Sequence, residues 1–372
     1  MAIILAGHTP ARSNLWGVST VHGNQTVEKV TRNAARMMHA AGLGTHAAQK
    51  QHRLNDQGAH VQVFAGSPSP LIREAKHDPE IHGESGLCGT DRLPANEDLD
   101  PSLVGHEKAV IAMWKEISAV HARSGTKTHV VATGTLTNVA LLLKLYPEVK
   151  QRIVSITLMG GAIGSGNRGP CAEFNIQNDP EAAKIVCDSG IKVVMVPLEV
   201  THTALVTSAV LSEIRTRLKD SNFSKLVIEL LTFFKDTYRS VFGMPDPPLH
   251  DPCAVAAVLW PELFHLELMR VDVECASPLS FGQTVCDVWH DSKLPKNVHV
   301  ARRMDVPAFW EHMLSALERA NDASPLNAAN NDAPPPSAAH KNNDAPPRNA
   351  ARAPASGEGV EGGVARNVRQ KR

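Results

Sequence analysis

Five short polar clusters interrupt the apolar runs of this 372-residue sequence. They are His22-Gly23-Asn24, Thr133-Gly134-Thr135-Leu136-Thr137-Asn138, Gly160-Gly161 with Asn167, Glu173, Phe174 and Asn175 beyond, Glu199 with Thr201 and His202, and Leu249-His250-Asp251-Pro252. Amides, carboxylates and hydroxyls suit a ligand that carries several hydroxyls, such as a sugar. A phosphate ligand would ask for glycine nests and Lys or Arg instead. Each residue also has a plainer use. Asp179-Pro180 is a helix start, with Asp as N-cap and Pro in the first turn, and Asp251-Pro252 alone reads first as the same device. His250 alone reads as a packed or surface histidine. Asn24, Asn167 and Asn175 can each serve a turn. Met159 ends an apolar strand and reads as packed. Phe234, Tyr238 and Phe242, at i, i+4 and i+8, read as a core stripe or as an aromatic wall.

The elements that would position these groups alternate. Short β-branched runs at Gly17–Val21, Val61–Phe64, His129–Thr133, Ile153–Met159 and Lys192–Leu198 are followed in several places by helical stretches: Thr26–Ala41, Thr137–Leu145 and Pro180–Ser189. Alternation of this kind predicts an α/β fold, with a mainly parallel central sheet and flanking helices. In such a sheet ligands bind beyond the carboxyl ends of the strands, which is where the polar clusters fall. The later runs Val271–Cys275, Thr284–Val288 and Val298–Arg302 lack long helices between them and predict an antiparallel extension at one edge. Segment 44–60, rich in His and Gln and aperiodic, predicts a surface insertion. Gly164-Ser165-Gly166-Asn167-Arg168-Gly169 spells a dinucleotide fingerprint, but Pro170 follows where a helix should open, so it is set aside.

Composition narrows the class. Lys plus Arg and Asp plus Glu both number 38, giving zero formal net charge. That argues against a nucleic-acid binder held by a basic field. No apolar run is long enough to span a bilayer. The six cysteines are scattered without a C-x-x-C pair, which predicts neither a disulfide framework nor a zinc site and fits a reducing, cytoplasmic setting. Near residue 320 the composition turns to Asn, Ala, Pro and Gly, and Asn-Asn-Asp-Ala-Pro-Pro occurs at 330–335 and again at 342–347. The expected organisation is one domain over 1–320 and a disordered low-complexity tail over 321–372.

Taken in order, the clusters resemble the inosine-uridine-preferring nucleoside hydrolase family. Gly17 to Asn24 with Lys29 and Thr31-Arg32-Asn33-Ala34 is similar to the family's second strand and helix, and Ile81 to Leu87 to its mobile active-site loop. Thr133 to Asn138 resembles its T-G-P-L-T-N turn, with Thr135 where Pro is usual. Met159-Gly160-Gly161, Ala172 to Asn175, Asp179 to Ala183, Pro197 to His202 and Leu249 to Pro252 complete the set. The resemblance implies a Rossmann-like core and hydrolysis of the N-glycosidic bond of ribonucleosides to ribose and free base. It further implies a Ca²⁺ cofactor, with Asp251 as a ligand and Thr133 giving its carbonyl. Asn24, Asn167, Glu173 and Asn175 would hold the ribose hydroxyls and Met159 would lie near the sugar. His250 would be the candidate general acid beside the base, with His82 assisting on the loop. The implied partner is a small-molecule ribonucleoside, met by a homo-oligomer in nucleoside salvage.

One part of the family pattern is missing. The D-x-D-P-G-x-D-D motif, which supplies calcium carboxylates and the general base, does not occur; the first acidic residue is Glu28. Met1-Ala2-Ile3-Ile4-Leu5-Ala6 matches the helix that follows that motif. The expectation is a sequence truncated at its N-terminus, lacking the first strand, with negligible activity as written. The alternative is a non-catalytic pseudoenzyme that binds ribosides or a protein partner.

Overall fold

The computed structural model describes residues 1–43 and 61–331. The expected insertion at 44–60 and the tail from 332 onward lie outside the described residues. The chain opens with helix α1 (Ala2–Gly7), strand β1 (Gly17–Thr20), helix α2 (Val27–Ala40) and strand β2 (Gln62–Ala65). Thr26 caps α2, accepting the Lys29 N–H at 3.5 Å. A four-residue helix, α3 (Pro79–His82), precedes α4 (Ala109–Ser124), β3 (Thr128–Ala132), α5 (Thr137–Leu145) and β4 (Ile153–Met159). Next come α6 (Phe174–Asn178), α7 (Pro180–Cys187), β5 (Lys192–Val196), α8 (Leu198–Thr201), α9 (Ser208–Arg217), α10 (Asn222–Phe242) and α11 (His250–Leu259). Strands β6 (Phe264–Met269), β7 (Val271–Val273), β8 (Thr284–Cys286) and β9 (Val298–Met304) precede α12 (Val306–Ala323).

The main sheet has the order β3-β4-β5-β9-β6, parallel except for β6. β4 and β5 are buried along nearly their whole length, as interior strands of a parallel sheet covered on both faces are. Alternate residues serve two cores. Ile156, Leu158, Val193 and Met195 join α5 and α7, while Met159 and Val196 join α1, α11 and α12. The five expected strands and three expected helices form within one or two residues of their predicted ends.

Two expectations change. Val298–Met304 is not an antiparallel extension but an interior strand, parallel to β5; its antiparallel partner is β6, which the sequence reading missed. β7 and β8 form a separate antiparallel pair. The boundary at 320 is also too early. α12 runs to Ala323, and a 3-10 segment spans Pro325–Asn331. β1 and β2 pair in parallel with each other, in a two-stranded sheet of their own. Among the described residues no helix is long and apolar enough to cross a membrane.

Candidate functional site

The carboxyl ends of β1, β3 and β4 open onto a cavity of about 330 Å³. All nine residues singled out from the sequence line it: Asn24, His82, Thr133, Met159, Asn167, Glu173, Asn175, His250 and Asp251. Another wall is α10, whose Phe234, Tyr238 and Phe242 form a ladder of tilted rings with centroids 4.7 and 4.9 Å apart. The i, i+4, i+8 spacing therefore lines the cavity. His82 leans on the same ladder, 5.8 Å from Phe234.

Glu173 is the most engaged carboxylate of the cavity lining. It caps α6, accepting the Asn175 N–H at 3.0 Å and the Ile176 N–H at 3.2 Å, and it takes the Gly161 N–H at 3.0 Å. Gly161 has φ +77, and a Cβ there would sit 2.7 Å from Met195 Sδ, so the donor turn needs glycine. Burial pushes the Glu173 carboxyl up to about 7 against these bonds. Asn175 donates to the Met159 carbonyl at 3.1 Å, and Asn167 Oδ1 accepts the Phe174 N–H at 2.9 Å. The turn uses proposed for asparagines are thus real for Asn167 and coexist with a place at the cavity.

Asp251 is not the cap of α11. The cap position is Leu249, and Asp251 lies inside the first turn with its carboxyl at the cavity. Burial pushes it up to about 6, and the nearby Met1 amino group, which also lines the cavity region, opposes that rise. His250 is held at both ring nitrogens, Nδ1 2.8 Å from Thr201 Oγ1 and Nε2 2.9 Å from the Tyr238 hydroxyl. Burial, with His202 and His82 adding repulsion, pushes it down to about 3. A histidine with a near-neutral pKa was expected here; a neutral imidazole is what burial leaves. His82 is likewise pushed down to about 4, by burial and then Arg168. Of the remaining cluster, Thr201 acts through His250, and Glu199 turns away to accept the Ile163 and Gly164 N–H groups at 2.9 and 2.8 Å.

Sequence reasoning missed the charged pair among the lining residues. Arg168 and Asp78 form an ion pair at the cavity. The Arg168 guanidinium also stands 5.5 Å from the Phe174 ring and 5.8 Å from Phe242. Asp78-Pro79 is one of five Asp-Pro dipeptides in the sequence, a signal too common to single it out.

The donor set does not fit calcium, a cation that takes about six to eight oxygens. Glu173 is occupied by backbone N–H groups and Asp78 by Arg168, which leaves Asp251. Among the described residues no group of three or more His, Cys, Asp or Glu side chains could hold a metal ion.

Known proteins resemble this chain in sequence and fold. The family model for the inosine-uridine preferring nucleoside hydrolase matches residues 1–311. A probable ribonucleoside hydrolase of Dictyostelium discoideum is 42% identical over 324 residues, covering 85% of this chain and 90% of its own length. The inosine-uridine preferring nucleoside hydrolase of Crithidia fasciculata is 35% identical over 322 residues, covering 87% and 94%. Among solved structures, a purine-preferring ribonucleoside hydrolase from Gardnerella vaginalis superposes with a TM-score of 0.73 at 28% identity, covering 87% of this chain and 95% of that one. The match runs through every segment that builds the cavity, from the Asn24 turn to the start of α11, and on that ground the chain belongs to the inosine-uridine preferring nucleoside hydrolase family.

Proposed function

We propose that the cavity takes a ribonucleoside, ribose inward, and that its reaction is hydrolysis of the N-glycosidic bond to ribose and free base. The observation that carries this is convergence: hydroxyl-binding side chains from turns far apart in sequence meet at one floor, beside an aromatic wall of a size to take a base. Breaking that bond builds positive charge on the ribosyl ring. The Asp251 carboxylate lines the cavity, is ionised at neutral pH and is suited to stabilise that charge. A departing base needs a proton. His250 is neutral and its Nε2 is engaged by Tyr238, and burial raises the pKa of the Tyr238 hydroxyl. This pair therefore holds that hydroxyl at the cavity for a hydrogen bond to the base, while the proton the base finally carries is one released by the attacking water. His82, on α3 beside the Phe234 ring, is the second histidine available to the base.

Calcium, which the family resemblance implies, finds one unengaged carboxylate among these residues. The 372 residues as they stand are therefore expected to bind ribonucleosides with negligible turnover. Calorimetric titration with inosine and with uridine checks the first half, and release of reducing sugar, with calcium or with EDTA, checks the second. Binding of neither nucleoside overturns the ribonucleoside reading. Turnover that survives EDTA and disappears in Asp251→Ala overturns the inactivity. Thermal unfolding adds a further check: millimolar calcium is expected to leave Tm unchanged, and a rise lost in Asp251→Asn overturns the misfit.

A further inference from the structure

No backbone ladder joins the two strands that feed the ribose end of the cavity. β1 pairs with β2, whereas β3 lies at the edge of the five-stranded sheet. Asn24 follows β1 and Thr133 follows β3, so the spacing between them is set by side chains that cross the seam. Asn138 is one, donating to the Thr20 carbonyl at 2.8 Å and accepting the Ser67 N–H at 2.9 Å. It grips the strand end below the rim.

His22 is the other, and it lies two residues from Asn24. It is fully buried, with Nε2 3.0 Å from Thr137 Oγ1 and 3.3 Å from Thr135 Oγ1. The hydroxyl protons fix the direction of these contacts. Thr137 donates its O–H to Asp179 Oδ2 at 2.6 Å, and Thr135 donates to the His22 carbonyl at 3.0 Å. Each hydroxyl has one proton, so both oxygens face His22 as acceptors and Nε2 carries the hydrogen. Nδ1 is buried with no hydrogen-bond partner among the described residues, which a neutral ring tolerates far better than a charged one. Burial, with His77 adding repulsion, pushes this histidine down to about 4. Asp179 continues the chain, accepting the Leu71 N–H and the Ala182 N–H, both at 3.0 Å. Thr135 is the position where the family turn usually has Pro, which has no hydroxyl to offer.

We infer that His22 is a positioning residue for the ribonucleoside site: its Nε2–H, accepted by Thr135 and Thr137, clamps the Asn24 turn to the Thr133 turn across the seam between the two sheets. The clamp stands on geometry alone; its effect on ligand rests on the ribonucleoside reading.

The test compares His22→Ala with His22→Gln, whose amide N–H reaches close to the place of Nε2, and with the milder Thr135→Val. Hydrogen exchange over 22–25 and 133–138, and calorimetric titration with inosine, are read at a temperature where circular dichroism shows each variant folded. Exchange in both turns is expected to rise about tenfold in His22→Ala and inosine binding to weaken about tenfold, the scale of one net hydrogen bond. His22→Gln restores most of both, and Thr135→Val gives a smaller change of the same pattern. Unchanged exchange over 133–138 in folded His22→Ala, or in Thr135→Val where His22→Ala does not fold, overturns the clamp. Faster exchange with unchanged inosine affinity overturns the positioning role. A wild-type protein that binds no inosine overturns the ribonucleoside reading, and the clamp is then decided by exchange alone.

Discussion

Asp251 shows how one residue type at one dipeptide can have two fates. Asp179-Pro180 and Asp251-Pro252 look alike in sequence. Asp179 does cap its helix, through the Ala182 N–H at 3.0 Å, whereas Asp251 sits one position inside α11 and gives no cap bond. What separates them is the residue before. His250 is drawn into the helix by Thr201 and Tyr238, which moves the cap back to Leu249. The consequence is a buried carboxyl raised to about 6 from an ordinary value of 3.8. A raised carboxyl pKa means that the folded state holds the proton more tightly than the unfolded one. Its stabilising share is complete below about pH 4 and is lost as pH rises through about 6. Asp251→Asn removes that loss. In EDTA, the Tm of Asp251→Asn minus that of wild type is expected to be more positive at pH 7.5 than at pH 4. Thermal melts at the two pH values check this, and a difference that does not change with pH contradicts a buried, protonation-linked Asp251.

At the scale of elements, the alternation of runs exposed β1 to β5 and the helices between them, because buried parallel strands and capped helices leave strong local patterns. Strand order leaves none. β6 and β9 are neighbours through long-range pairing, so β9 could be seen as a strand but not as an interior one. The Arg168–Asp78 pair joins positions 90 residues apart, a separation at which a single sequence carries no pairing signal. Tyr238 was hard to place for a different reason: an aromatic at helical spacing has the same pattern whether it faces a core or a cavity. The loop that carries His82 was legible by resemblance, and the structure shows what restrains it. Three side chains on or just before α2 hold its carbonyls: Gln25 on Gly83 at 2.9 Å, Lys29 on Glu84, and Asn33 on Ser85 at 2.7 Å. Removing two such bonds to a surface loop should lower its opening free energy by about 1–3 kcal/mol while leaving the cores intact. Hydrogen exchange over 80–88 is therefore expected to quicken at least about fivefold in the double variant Gln25→Ala, Asn33→Ala, with little change in Tm. Exchange equal to wild type would show that the loop is held by something else.

For the molecule as a whole, composition located the end of the folded part a few residues too early. Asn321, Ser324 and Asn327 belong by type to the Asn- and Ala-rich stretch that follows, yet their amides and hydroxyl bind core elements. Ser324 donates to the Ala40 carbonyl at 2.6 Å, Ser221 donates to Asn321 Oδ1 at 2.5 Å, and Asn327 Oδ1 accepts the Phe223 N–H at 3.1 Å. Leu326 packs against the core that contains α1, α11 and α12. These bonds close the α2 C-terminus and the α10 N-terminus onto α12. A chain ending at 320 loses all of them and leaves buried donors and acceptors without partners, which costs about 1–3 kcal/mol for each group left so. A chain ending at Asn331 keeps them. The shorter chain is expected to melt several degrees below wild type, and the longer one to match it, in thermal scans followed by circular dichroism. Equal melting of both would mean that α12 needs nothing beyond Ala320 to hold α2 and α10, and a loss already present at 331 would mean that residues after it take part in the fold.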